Sequence, residues 1–230
     1  KVVIVTGATG NLGQVVARKF AAQGAKLVLL AREAGDLETL AKELQVESLA
    51  EAADLSDPAS VDGLISRALA RFGQIDVLAH TVGGYAAGKP VYESEVDVLE
   101  KMFNLNVKPV YVTAGRVAKS MVERGTGGKI VVVLAKSALK GQANAAAYTA
   151  SKSAAQRVVE SMALELRDKG INVNAVLPSI MDSPANRKDM PNADPAKWVT
   201  TDDVADAILF LASDAAAKIH GASLEVYGRS

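Results

Sequence analysis

The chain has no cysteine. That excludes disulfides, thiolate nucleophiles and zinc–thiolate sites. It has two histidines, His80 and His220, too far apart in sequence to suggest a metal cluster. Net charge is also missing: 26 basic residues balance 26 acidic ones. Nothing in that balance calls for nucleic acid or an anionic membrane as partner. Apolar runs fall short of the ~18 residues that span a bilayer. The chain opens on an apolar strand without a basic-then-apolar leader, so no signal peptide is expected. These absences point to a soluble, cytoplasmic protein acting on a small molecule, with no metal.

What is present is alternation. Residues 1–6 (KVVIVT) form a short β-branched apolar run, the pattern of a strand buried on both faces. Helical and strand-like patterns then take turns. Helices are expected at 11–23, 35–44 and 57–72, and strands at 26–30, 47–53 and 75–81. The third of these helices opens with Asp57-Pro58, a capping residue followed by proline in the first turn. A long helical pattern covers 94–124, interrupted by Pro109. A fifth strand (129–134), a helix ending near Gly170 and a sixth strand (171–177) follow. Residues 179–199 look irregular and proline-rich, then come a helix at 201–212 and a last strand at 223–227. No linker or repeat divides the 230 residues. The expectation is one domain over 1–230: a doubly wound parallel sheet with helices on both faces and ligands at the carboxyl ends of its strands.

One stretch carries candidate chemistry. Tyr148 and Lys152 lie four residues apart in an alanine-rich helical run, and such residues share a helical face. A free phenol ionises near pH ~10. A cation at roughly 4 Å, at an effective dielectric of about 20, contributes up to about 4 kcal/mol. A fall of roughly one to three units in the tyrosine pKa is therefore within reach. So poised, Tyr148 would exchange a proton with a carbonyl or alcohol oxygen. A second stretch, Thr6-Gly7-Ala8-Thr9-Gly10-Asn11-Leu12-Gly13, joins the first strand to the first helix. Glycines there permit a tight turn and close approach of a phosphate to free N–H groups, the arrangement used for dinucleotides.

These motifs, with Asp54 after the third strand, Gly83 after the fourth, Asn106 in the long helix and the Pro178 to Ser183 stretch after the sixth, stand in the order of one family. The chain resembles the short-chain dehydrogenase/reductases over essentially its whole length. The resemblance implies a single-domain Rossmann fold of about seven strands, order 3-2-1-4-5-6-7, and hydride transfer between nicotinamide and a carbonyl or imine-type carbon. It assigns Tyr148 as general acid/base, Lys152 as its activator and ribose ligand, and Asn106 as the third member of the set. Pro109 cannot donate to the Leu105 carbonyl, so the helix should loosen beside Asn106. Cofactor contacts are implied for Gly7, Thr9, Gly10, Asn11, Leu12, Gly13, Arg32, Asp54, Leu55, Thr81, Val82, Gly83, Tyr148, Lys152, Pro178 and Ile180. Ala31 stands where NAD-preferring relatives carry Asp, and Arg32 where a basic residue meets the extra phosphate, so NADP is expected in preference to NAD.

The sequence also departs from the family. Its usual serine, thirteen residues before the tyrosine, is Ala135, and Ser137 can replace it only if the loop is reshaped. Alanine there, with the runs 82–88 and 182–194, resembles the dihydropteridine reductase subgroup. His80 is expected to be packed and hydrogen-bonded rather than catalytic. Tyr85, Met181 and Trp198 are candidates for a flat, partly aromatic pocket under a lid at about 179–200. The helices ending near Arg124 and Lys169 imply a homodimer, and the last strand a homotetramer. The alternative to an enzyme is a dinucleotide sensor without turnover.

Overall fold

The computed structural model describes residues 1–229; Ser230, the last residue of the expected domain, lies outside the described residues. Seven strands make one sheet: β1 (Val2–Thr6), β2 (Lys26–Ala31), β3 (Ser48–Ala52), β4 (Val77–His80), β5 (Gly128–Val133), β6 (Ile171–Pro178) and β7 (Ser223–Val226). The order is β3-β2-β1-β4-β5-β6-β7, and every pairing is parallel. β1 is central because its five residues are all buried and need cover on both faces. Val2 and Ile4 join the core beneath α3 (Pro58–Phe72), α5 (Lys108–Arg124) and α6 (Ala146–Leu166). Val3 and Val5 join the opposite core beneath α1 (Asn11–Ala22), α2 (Gly35–Leu44) and α8 (Thr201–Ala212). The chain builds β2 and β3 on one side of β1, then returns to place β4 on the other. That reversal opens a crevice at the carboxyl ends of β1 and β4.

Local signals explain the helix ends. Asp57 accepts hydrogen bonds from the N–H groups of Ala59 and Ser60, with Pro58 in the first turn of α3. Thr200 and Asp203 form a reciprocal capping box at the start of α8. The expected long helix is two: α4 (Val96–Asn106) and α5, with Val107 between them at φ −104°, ψ −56°. The break falls just before Pro109, which then occupies the first turn of α5, where its missing N–H is no loss. The stretch expected to be irregular contains a six-residue helix, α7 (Pro184–Asp189), whose Ser183 side chain accepts from the Asn186 N–H. Among the described residues no helix is long and apolar enough to cross a membrane.

The turn from β1 to α1 depends on two glycines. Gly7 has φ +63°, and its carbonyl accepts from the Gly10 N–H at 2.9 Å. A Cβ on Gly13 would lie 2.0 Å from that same carbonyl oxygen. The helix therefore presses its first turn onto the strand's backbone, which only a glycine permits. We expect Gly13→Ala to lower stability by about 1–3 kcal/mol, the usual cost of overpacking, read as a lower urea midpoint at unchanged m-value.

Candidate active site

α6 carries the first candidates to the carboxyl end of the sheet. Its run of alanines and serines lets the helix lie close to β6 and the turn after β5. Lys152 is 6% exposed, and its ammonium reaches a single acceptor, the Val133 carbonyl at 3.5 Å. Burial alone lowers its pKa to about 8.

Tyr148 is half-buried one turn earlier. The Tyr85 ring meets it edge-on with centroids 4.8 Å apart. The spacing argument predicted a phenol activated by Lys152; the structure corrects this. Burial raises the Tyr148 pKa, the Ser137 hydroxyl pulls it partly back, and Tyr85 raises it further. The Lys152 ammonium reaches the Val133 carbonyl of β5 instead. Ser137 lies in a 3-10 turn, Lys136–Ala138, that follows an extended Ala135. Its Oγ is buried and forms no well-aligned hydrogen bond, so its contact with the phenol is a loose one. Ala135 offers no side-chain donor.

Asn106 ends α4 and is 1% exposed. Its Oδ1 accepts from the Gly84 N–H at 2.8 Å. Its Nδ2 donates to the Gly84 carbonyl at 3.0 Å and to Ser151 Oγ at 2.9 Å. Ser151 in turn donates to the Tyr148 carbonyl at 2.8 Å. A Cβ on Gly83 would lie 3.0 Å from both Asn106 Oδ1 and Lys152 Nζ, which places those two groups over the same glycine. Ser151 was missed in the sequence, although its position three residues after Tyr148 was the available signal.

The glycine turn lies across the crevice from this cluster. Gly10 precedes α1 without a side-chain cap, and no acidic residue sits in the first turn. The N–H groups of Asn11, Leu12 and Gly13 are left for an anion. Thr9 is half-buried beside them. Thr81 already spends its hydroxyl on the Thr6 carbonyl at 2.6 Å, and with Val82 it packs against Gly7. Arg32 is exposed just after β2 and has no ion-pair partner among the described residues. Asp54 is exposed and accepts from the Ser56 N–H at 2.8 Å. The Leu55 side chain is in the core, so only its main chain can face a ligand. Pro178 ends β6, and Ile180 is 37% exposed just beyond it.

On the substrate side one expectation fails. Trp198 is 7% exposed and packed, so it anchors the lid instead of lining a pocket. The lid's two ends are joined: Met181 bridges Val199, Asp182 N–H donates to the Val199 carbonyl at 2.7 Å, and Arg229 N–H donates to the Lys197 carbonyl at 3.0 Å. Tyr85 stays 65% exposed at the crevice mouth. His80 is packed as expected, but neither ring nitrogen has a hydrogen-bond partner among the described residues.

The family model described as short chain dehydrogenase matches residues 1–194. The chain is 34% identical to the L-rhamnose 1-dehydrogenase (NAD(P)(+)) of Azotobacter vinelandii, over 99% of this chain and 95% of that protein. It is 32% identical to the cis-4-hydroxycyclohexanecarboxylate dehydrogenase of Sinomonas cyclohexanicum, over 99% and 95%. A short-chain type dehydrogenase/reductase from Mycobacterium ulcerans superposes with TM-score 0.93 at 23% identity, over 100% of this chain and 89% of that one, a likeness of fold.

Asn106→Ala should cost about 1–3 kcal/mol through unpaired groups at Gly84 and Ser151. Hydrogen exchange should locate the damage: the Gly84 amide loses protection, while the amides of β1 keep theirs.

Proposed function

The chain belongs to the short-chain dehydrogenase family and is an oxidoreductase, and we propose that it reduces a carbonyl or imine-type small molecule with Tyr148 as proton donor. The observation that carries this reading is that α6 brings Tyr148, with the Ser137 hydroxyl at its phenol, and the buried Lys152 to the carboxyl end of the sheet, where the open N-terminus of α1 also lies.

The residues of the crevice fit a nicotinamide dinucleotide. Gly7, Gly10 and Gly13 leave backbone room for a pyrophosphate, and the first N–H groups of α1, with Thr9, Asn11 and Leu12 around them, would hold it. Arg32 has no acidic partner and would read an additional ribose phosphate, which favours NADP over NAD. Asp54 and the Leu55 main chain would meet the adenine. Thr81, Val82, Gly83, Pro178 and Ile180 would border the nicotinamide end, and Lys152 the nearby ribose. When bound, the cofactor supplies the hydride.

The chain's own groups manage the proton. The raised pKa of Tyr148 keeps its phenol protonated at neutral pH, the form needed to donate to a substrate oxygen or nitrogen. Ser137 stands at the phenol and would orient that substrate atom, the task the family gives to the residue that is Ala135 here. Lys152 supplies positive charge behind Tyr148. Asn106 holds the Gly83-Gly84 turn against α6 and so fixes the floor of the site. The Tyr85 ring gives that floor an aromatic wall.

An exposed aromatic wall and a single loosely held hydroxyl suit a flat, readily reduced ring better than a polyol. A pterin-type substrate therefore matches the subgroup resemblance. The open groove between α5 and α6, with a volume of about 800 Å³ and lined in part by Tyr111, Gly115, Val122, Met162 and Leu166, is the face we assign to a second copy of the chain.

In an assay of NADPH or NADH oxidation with quinonoid dihydropterin and a panel of ketones, Tyr148→Phe should lose about 10²–10⁴-fold in kcat, and Ser137→Ala about 10²–10³-fold. Both should retain cofactor affinity by titration. Unchanged turnover in Tyr148→Phe would remove this mechanism.

Cofactor choice is separable. NADPH should bind more tightly than NADH, and Arg32→Ala should weaken NADPH by about tenfold, the loss of one charge-assisted contact of roughly 1.5 kcal/mol. NADH binding should stay unchanged.

A further inference from the structure

His80 has no task in the reading above. It ends β4, flanked by Thr6 of β1 and Val132 of β5, and is fully buried. A neutral imidazole carries one N–H and one lone pair, and here both lack a protein partner. Leaving either unmatched in the interior is costly, and such groups call for an explanation. Alternation along β4 turns His80 to the same face as Leu78, the face covered by α5 and α6. Lys152 approaches from that side. Burial and then the charge of Lys152 drive the His80 pKa down to about 3, so the ring is neutral at any working pH.

Lys152 has the opposite deficit. Its ammonium has three donors and one long contact, to the Val133 carbonyl. Among the described residues no carboxylate pairs with it, and nothing but burial shifts its pKa. From α4 it is faced by the uncharged Asn106, and on its own helix by Tyr148. No other charge acts on His80. His80 stands opposite Val132 of β5 and the ammonium reaches the next carbonyl, Val133, so a donor-rich cation and an orphaned lone pair meet at one corner of the sheet.

We propose that His80 is a positioning residue for Lys152: the lone pair of its neutral ring accepts from the ammonium across one water and keeps Lys152 charged. The other ring nitrogen then carries the proton, which fixes the tautomer. This rests on the reading of Lys152 as the cation behind Tyr148.

The sign follows from the acceptor. A hydrogen bond to the ammonium raises the Lys152 pKa, so removing it lets the charge go at lower pH. In the holoenzyme with saturating NADPH, His80→Leu should move the alkaline limb of kcat/KM down by about one pH unit, the worth of one hydrogen bond to a charged group. His80→Asn, whose amide oxygen is again an acceptor, should restore the limb. A merely structural His80 would lower the unfolding midpoint in both variants and leave the limb in place, and that result overturns the proposal. Should His80→Leu fail to fold, ¹⁵N-histidine spectra of the wild type and Lys152→Met decide the matter. The acceptor nitrogen of His80 should shift when the ammonium is gone, and an unchanged resonance overturns the proposal. Intact turnover in Tyr148→Phe would instead remove the reaction assigned to the site, while the nitrogen spectra would still report on the pair.

Discussion

A buried amide leaves no slack: each donor and acceptor must be matched, or it costs the fold free energy. Asn106 meets that demand with three bonds that join separate parts of the chain. Two close on the Gly84 backbone and one on Ser151, so α4, the turn after β4 and α6 are tied at a single side chain. Ser151 passes the restraint to the Tyr148 carbonyl. The break at Val107 is what allows the end of α4 to face this turn while α5 continues along the sheet. The site's geometry thus depends on one amide that does not touch the phenol itself.

The electrostatics of the resting site differ from a simple picture of a lysine activating a tyrosine. The phenol and the ammonium share a helix, but the ammonium points to β5, and burial dominates both groups in opposite senses. Burial holds Tyr148 as the neutral acid and weakens the hold of Lys152 on its proton. In the proposed reduction the donor would be loaded, and Lys152, with its pKa brought down to about 8, would respond to modest changes in its surroundings. Ser137 favours ionised Tyr148, and it arrives from a turn two residues past Ala135.

The fold was legible because parallel sheets buried on both faces announce themselves as apolar runs such as VVIVT, set between helical patterns. The glycine turn and the Asp57 cap were legible for the same reason, since each is a local requirement of backbone geometry. The order of Tyr148, Lys152, Asn106 and the glycines marked the candidate site. What escaped notice was anything set by direction instead of spacing. A four-residue interval put Lys152 beside Tyr148 but said nothing of where Nζ points. Trp198 in a proline-rich stretch suggested a pocket wall, yet its large apolar ring is better buried as an anchor. His80 was expected to find a hydrogen bond, because most buried polar groups do, and the sequence contains no sign that both nitrogens are left over.

The joined ends of the lid have one more consequence. Met181 and Val199 are held together and braced from the carboxyl-terminal side by Arg229. The segment between them is therefore a closed ring of chain, not a tethered flap. Much of the entropy of bringing its ends together is settled when the domain folds. The head of the ring carries the short α7 and its Asp182–Arg187 ion pair. Were it to cover a ligand, a loop closed in this way would add little to the entropic penalty of binding.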